Sequence, residues 1–279
     1  MSQTTSAYLN GLLSKYTPSS TYFDKARAHR AGIEARLDSW LGVSEMFETG
    51  SLRHGTGVWF YSDVDYIVAL KGSRPTPTTA LNNVRDALKD KYASTTVRVS
   101  RPAVVCDFAA GDETVEVVPA YSDGPGRGYW IPDPADHSGW MRSYPKSHNA
   151  YVNDANLSHS GAAKKLARLA KTWKYKRNVP ISSCYLEMRA ARYAKDVEAW
   201  ILPMDLHYFL RGLKNIDLAS MNDPTKSGSR FTACSSVSTK SDALSKLDTA
   251  LGRSEKALAH YLSDNHDLAI EQWKAVFNQ

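Results

Sequence analysis

Asp63 and Asp65 stand two residues apart in Ser62-Asp63-Val64-Asp65-Tyr66-Ile67-Val68-Ala69-Leu70, an apolar, β-branched run of strand type. Alternate residues of a strand face the same side, so the two carboxylates share a face with roughly 7 Å between their attachment points. Like charges at that spacing suit a pair of divalent cations, and burying them unpaired is costly.

The preceding residues belong to the same pattern. Val43–Thr49 reads as a short strand and Gly50-Ser51 as a tight turn. Leu52-Arg53-His54-Gly55-Thr56 then reads as a candidate helix start whose amides attract phosphate. A third acid is expected from a neighbouring strand. Val115-Glu116-Val117-Val118-Pro119-Ala120-Tyr121 offers Glu116, flanked by valines and ended by a proline, while Asp107 and Asp112 are the alternatives.

The order Gly-Ser, spacer, Asp-x-Asp, then acid-x-x-Pro-Ala-Tyr resembles the nucleotidyltransferase superfamily related to DNA polymerase β. It is most similar to the branch of oligoadenylate synthases, cyclic GMP-AMP synthase and the bacterial cyclic-oligonucleotide synthases (CD-NTases) of anti-phage defence. In that branch the third acid is usually Asp; here it is Glu116, one methylene longer. The resemblance continues through Tyr129-Trp130-Ile131-Pro132-Asp133-Pro134 with Trp140, Pro145 and His148, and through Lys171-Thr172-Trp173. It extends to Ser182-Ser183-Cys184-Tyr185-Leu186-Glu187, Asp223-Pro224-Thr225 and the segment from Ala269 to Phe277.

The resemblance implies an α+β fold: a polymerase β-like nucleotidyltransferase core sheet, an N-terminal spine helix and a C-terminal helical lobe. Residues 1–155 would form the catalytic lobe and 156–279 the helical lobe that closes the nucleotide cleft. Asp63, Asp65 and Glu116 would hold two Mg2+ ions, with Mn2+ as an alternative. Gly50 and Ser51 would meet the phosphates, and Lys171, Ser183 and Tyr185 would complete the nucleotide site. In relatives the aromatic that follows the serine stacks on a base; here Cys184 takes that place and Tyr185 comes one later. The implied activity is synthesis of a cyclic di- or trinucleotide second messenger from ATP, GTP or other nucleoside triphosphates, read by a downstream effector in CBASS-type defence. A nucleic-acid activator is not expected. A linear-product or RNA-tailing transferase is the alternative enzyme, and an inactive nucleic-acid-binding module the alternative of another class.

Two nucleotide-site residues also have a plain structural reading: Lys171 on a solvated basic face, and Ser183 as the cap of a helix with Glu187 on its solvated face. His54, His148 and His159 have no metal-ligand spacing. Bulk properties agree with the resemblance without selecting it. The 279 residues can bury a sizeable core, and the net charge of +6 favours polyanionic partners. The three cysteines are scattered, no run of 18 apolar residues exists, and the N-terminus has no signal pattern; a reduced, cytoplasmic protein without membrane contact is expected.

Along the chain, residues 22–41 read as one helix stopped by Gly42, 79–92 as a helix, and 96–108 and 114–121 as strand, with a hairpin link at 109–113. Residues 122–149 read as a structured crossing, the chain from about 157 onward as helical, and 225–241 as a loop. In the helix expected over 160–177, Ala162, Leu166, Leu169 and Trp173 form the apolar stripe, with Lys164, Arg168 and Lys171 opposite.

Overall fold

The computed structural model describes residues 3–108, 113–126, 128–225 and 230–279. The chain divides into two compact units: Pro18–Gly55 with Ser62–Asn149, and Met1–Thr17 with Thr56–Tyr61 and Ala150–Gln279. This division differs from the expected cut at residue 155, because α1 (Thr5–Tyr16) packs with the helical unit. Thr4 caps α1 by accepting from the Ala7 N–H, and Leu9, Leu12, Leu13 and Tyr16 bury in the helical core. That i, i+3, i+4, i+7 spacing is a helix signal the sequence reading passed over.

The sheet unit starts with α2 (Ser20–Ala28) and α3 (Arg30–Leu41), which abut at His29 where a single helix was expected. His29 stacks on Phe108 with ring centres 3.7 Å apart and meets Glu113 at 2.8 Å, fixing the chain at the junction. Gly42, at φ +73°, ends α3. Then follow β1 (Val43–Thr49), the one-turn α4 (Gly50–Arg53), β2 (Val64–Leu70) and α5 (Pro77–Lys91). The expected strand over 96–108 is divided into β3 (Thr96–Ser100) and β4 (Ala103–Phe108), because Pro102 lacks a ladder donor and turns the chain. β5 (Glu113–Ser122), β6 (Tyr129–Pro132) and β7 (Trp140–Ser143) complete the unit. Asp112 and most of the link at 109–113 lie outside the described residues.

The main sheet runs β1-β2-β5-β4-β3, with β2 parallel to β5 and the other neighbours antiparallel; β6 and β7 extend from the far end of β5. Val64, Tyr66, Val68 and Leu70 of β2 point into a core shared with Ile33, Leu37, Leu81, Val84 and Leu88 of α3 and α5. On the other face Ile67, Val118 and Ala120 form a small apolar cluster with Ala103. Strand periodicity therefore places Asp65 and Glu116 on that second face, at the end of its apolar patch.

The helical unit is built from α6 (Pro145–Leu157), which starts in the sheet unit, and from α7 (Ala162–Lys176), α8 (Ser183–Asp196) and α9 (Leu202–Asn215). After the two-residue strands β8 (Met221–Asn222) and β9 (Arg230–Phe231) come α10 (Val237–Leu262) and α11 (His266–Phe277). α10 begins inside the expected loop at 225–241, because Ser236 and Thr239 form a reciprocal capping box there. The core gathers Leu9, Leu166, Trp173, Leu186, Trp273 and Phe277. Among the described residues no helix is long and apolar enough to cross a membrane, and the cysteines are free thiols.

Candidate active site

The register of the sheet assembles the acids. Asp65 pairs with Thr49 on one side and with Glu116 on the other; Glu116 pairs with Val105, and Val105 with Arg98. Paired residues project to the same face, so one row carries Thr49, Asp65, Glu116, Val105 and Arg98 across the sheet. Asp63 precedes Asp65 by two positions and Asp107 follows Val105 by two, so both lie on this face as well.

Gly50 closes the row at the β1 end. It has φ +69°, and a Cβ added there would lie 1.9 Å from Asp65 Oδ2. Any other residue would be strained at this φ and would displace the carboxylate, which is the physical requirement behind the Gly-Ser turn.

Electrostatics on this face are those of crowded anions. Burial raises the Asp63 carboxyl above the ordinary range, aided by the Asp107 charge and opposed by Arg98. Burial likewise raises Glu116, with the Asp63 charge second; Arg98 and a hydrogen bond with Asp65 act in the opposite direction. Asp107 is paired with Arg98, at 3.4 Å. Glu116 sits opposite Asp65 and shares a hydrogen bond with it.

Among the described residues no three acidic, histidine or cysteine side chains are closed around one point. Ionised carboxylates on one face repel one another, and either a retained proton or a bound cation offsets that repulsion. Three features fit a pair of hard divalent cations: the all-oxygen donor set, the raised carboxyls, and the glycine that leaves room beside Asp65.

The helical unit departs from expectation at Lys171, Glu187 and Tyr185. Lys171 does not lie on a solvated basic face. It is 0% exposed and donates to Glu187 Oε1 at 2.6 Å; Glu187 is 4% exposed and also accepts from the Thr56 hydroxyl at 2.6 Å. A second layer covers the polar side of α7, since Arg168 Nε donates to the Gly57 carbonyl at 2.8 Å. Tyr185 points inward, fully buried, with its hydroxyl donating to the Ala219 carbonyl, while Cys184 is exposed. Tyr185 therefore offers no ring face to a base.

Ser182 rather than Ser183 caps α8, accepting from the Tyr185 N–H. Ser183 Oγ is left to face Lys174, whose Nζ donates to it at 2.7 Å, and the Tyr175 hydroxyl at 3.2 Å. Burial, with the Lys171 charge beside it, lowers the Lys174 ammonium to about 8. Lys174 is not among the nucleotide-site residues expected from the sequence. Its position nine residues before Ser183, with the turn at 177–182 folding α8 back on α7, is the signal that pairs them.

Residues 3–156 match the family described as the Second Messenger Oligonucleotide or Dinucleotide Synthetase (SMODS) domain. That is more than half of the chain, and the protein belongs to this family: it is a bacterial CD-NTase, a nucleotidyltransferase with the polymerase β-like fold. Among solved structures it is similar to Escherichia coli MS115-1 CdnC with ATP, with TM-score 0.79, 16% identity and 97% of each chain covered. The Bradyrhizobium diazoefficiens CD-NTase CdnG in complex with GTP gives TM-score 0.71 and 16% identity, covering 99% of this chain and 98% of that one. The 3'-deoxy GTP bound form of Escherichia coli DncV gives 0.74 and 13%, covering 96% and 93%. No curated protein matches the sequence.

Two predictions come from this geometry. The folded protein holds the Asp63 and Glu116 protons to higher pH than the unfolded chain does. The stability this contributes is present in acid and is lost as pH rises through the raised values. A divalent cation held there would compete with those protons, so addition of Mg2+ should raise Tm more at about pH 8 than at about pH 5. Asp63→Asn with Asp65→Asn should remove the metal-induced rise and leave the metal-free Tm equal or higher; a lower metal-free Tm would show that the acids are structural.

The second concerns the buried pair. Glu187→Gln or Lys171→Met leaves one charge buried without its partner and should cost about 3–5 kcal/mol in denaturant unfolding. Lys171→Met combined with Glu187→Leu should recover most of that loss. Single substitutions that change unfolding by less than about 1 kcal/mol would mean the pair is solvated.

Proposed function

We propose that the protein is a Mg2+-dependent synthase that joins nucleoside triphosphates, ATP or GTP among them, into a cyclic oligonucleotide second messenger. The observation that carries the reading is the sheet row in which Glu116 stands in register with Asp65, two residues from Asp63 and closed by Gly50. The relatives named above were solved with ATP, GTP or a deoxy analogue of GTP, which supports triphosphates as substrates.

Asp63 and Asp65 would hold both ions, and Glu116 would complete the site of the one nearer the attacking hydroxyl. When bound, the ions supply Lewis acidity at that hydroxyl and charge compensation at the triphosphate. Glu116, in register with Asp65, would accept the proton of the attacking ribose hydroxyl. The hydroxyl oxygen bonds to the α-phosphorus and pyrophosphate leaves in line. Gly50 and Ser51 present backbone amides and a hydroxyl to the phosphates. Within the helical unit, Lys174 and Ser183 offer a cation and a hydroxyl to phosphate, whereas Lys171 is neutralised by Glu187. A cyclic product requires the same residues to act again on the linear intermediate.

By the family's logic the product would be read by an effector protein in anti-phage defence, and catalysis would need no nucleic acid. Arg168 and Lys171, two members of the expected basic stripe, are already engaged within the fold.

Incubation with ATP, GTP and Mg2+ should give a product that survives phosphatase, since a ring has no terminal phosphate. A product whose terminal phosphates phosphatase removes, leaving a shortened, less charged oligonucleotide, would mark a linear synthase, and no product at all would remove the enzyme reading. Glu116→Gln should lower turnover by about a hundredfold or more with little change in triphosphate affinity. A normal Glu116→Gln enzyme beside an inactive Asp107→Asn enzyme would transfer the role to Asp107.

Lys174 contacts phosphates in ground and transition states alike, so Lys174→Ala should raise KM for triphosphate more than it lowers kcat. Steady-state kinetics in which KM is unchanged would leave Lys174 as a structural partner of Ser183.

A further inference from the structure

A cavity of about 460 Å3 opens beside β1, the edge strand of the main sheet, and its whole lining belongs to the sheet unit. Arg30, Glu48, Arg53, Lys146 and Asn149 are its polar walls, with Phe47 among them. Three cations thus meet one carboxylate, and that carboxylate is already engaged: Glu48 accepts from Arg27 Nε at 2.7 Å and from its terminal nitrogen at 2.8 Å. Lys146 pairs with Glu45, and Arg30 donates to the Met46 carbonyl at 2.8 Å. Arg53 has no hydrogen-bond or ion-pair partner among the described residues.

Cations at a surface are ordinarily solvated and need no ligand. Two buried polar atoms set this cavity apart. Tyr66, fully buried, stands opposite Glu48 in the sheet register, and its hydroxyl has no hydrogen-bond partner although the charges of Glu48, Arg30 and Arg27 act on it. Burial pushes that phenol up to about 12, so it stays an O–H donor. Asn149 Oδ1 is likewise buried without a partner. Unpaired buried polar atoms are costly, and two of them behind the walls of one cavity point to a group that the chain itself does not supply. The first turn of α6, which includes Lys146, adds to the positive field because it carries no acid.

We infer that this cavity is a binding site for a small oxyanion that also carries a hydroxyl, the chemistry shared by hydroxycarboxylates and phosphate monoesters. The guanidinium groups of Arg30 and Arg53 hold the anion. The acceptor on Asn149 requires a donor, and the ligand hydroxyl or a water seated with it supplies one, while the Tyr66 O–H gains an acceptor in the same way. Arg53 is the last residue of α4 and Gly50 the first, so the anion sits one helical turn from the glycine that packs against Asp65. None of the acids of the catalytic row lines the cavity.

Titration calorimetry of the full-length protein in metal-free buffer at constant ionic strength tests this with three probes: citrate, glycerol 2-phosphate, and tricarballylate, which is citrate without its hydroxyl. Citrate or glycerol 2-phosphate should bind, the tighter of the two naming the anion, and tricarballylate should bind about threefold or more weaker than citrate. Arg53→Gln should weaken binding about tenfold or more, Arg53→Lys should recover part of the loss, and Lys174→Ala should leave binding unchanged. Arg53 is exposed, so these variants should keep the wild-type Tm. Equal affinity of Arg53→Gln and wild type overturns the site, as does a loss on Lys174→Ala in its place, or the absence of binding by every probe at millimolar concentration. Equal affinity for citrate and tricarballylate overturns the part given to the ligand hydroxyl.

Discussion

Repulsion between carboxylates that one register holds side by side is the constraint on which the sheet unit depends. Asp65 and Glu116 are neighbours because β2 and β5 run parallel in a fixed alignment. A parallel pair needs a long crossover, and α5, β3 and β4 form it. Slippage of β5 by one residue would put Val115 or Val117 opposite Asp65 and send Glu116 to the buried face. The apolar residues of β2 and β5, which enter a core on each face, make that slip prohibitive. The hydrophobic pattern therefore enforces an alignment whose purpose is polar.

The helical unit treats its own charge in the opposite way. Lys171 and Glu187 are matched one to one, with Thr56 adding a donor, and are withdrawn from water together. A pair so enclosed contributes orientation more than stability. It fixes α7 against α8 and ties the segment Thr56–Tyr61 to both. Lys174, one turn further along α7, keeps access to a hydroxyl and an aromatic ring. Three residues along a helix thus separate a structural lysine from one suited to bind an anion.

The acid strand could be read directly from its residues, because alternation of apolar and acidic side chains has a single geometric meaning in an extended chain. β2 lies within the run expected to be strand, and the Gly50 turn and the end of α3 at Gly42 follow from local backbone demands. Helix α7 was visible but its environment was not. A helical stripe reports which side is apolar, whereas burial of the other side was decided by Gly57 and Glu187, more than a hundred residues before Arg168 and sixteen after Lys171. Tyr185 failed for a related reason: a one-residue offset on a helix turns a side chain by about 100°, from solvent to core. Placement of α1 with the helical unit, rather than with the sheet it precedes, is a long-range outcome no local pattern encodes.

The chain passes from one unit to the other at 17/18, 55/56, 61/62 and 149/150. Gly50-Ser51 and the Asp63/Asp65 pair are both in the sheet unit, yet the six residues from Thr56 to Tyr61 between them are rooted in the helical core. Neither half is therefore a transferable module. Excision after residue 149 would strip the partners from Leu9, Leu12, Leu13, Tyr16 and Val58 and leave an apolar helix and loop hanging from the remaining sheet. Catalytic specificity in a chain threaded this way changes by substitution more readily than by exchange of halves, because four crossings leave no single point in the sequence at which a foreign helical half could be joined.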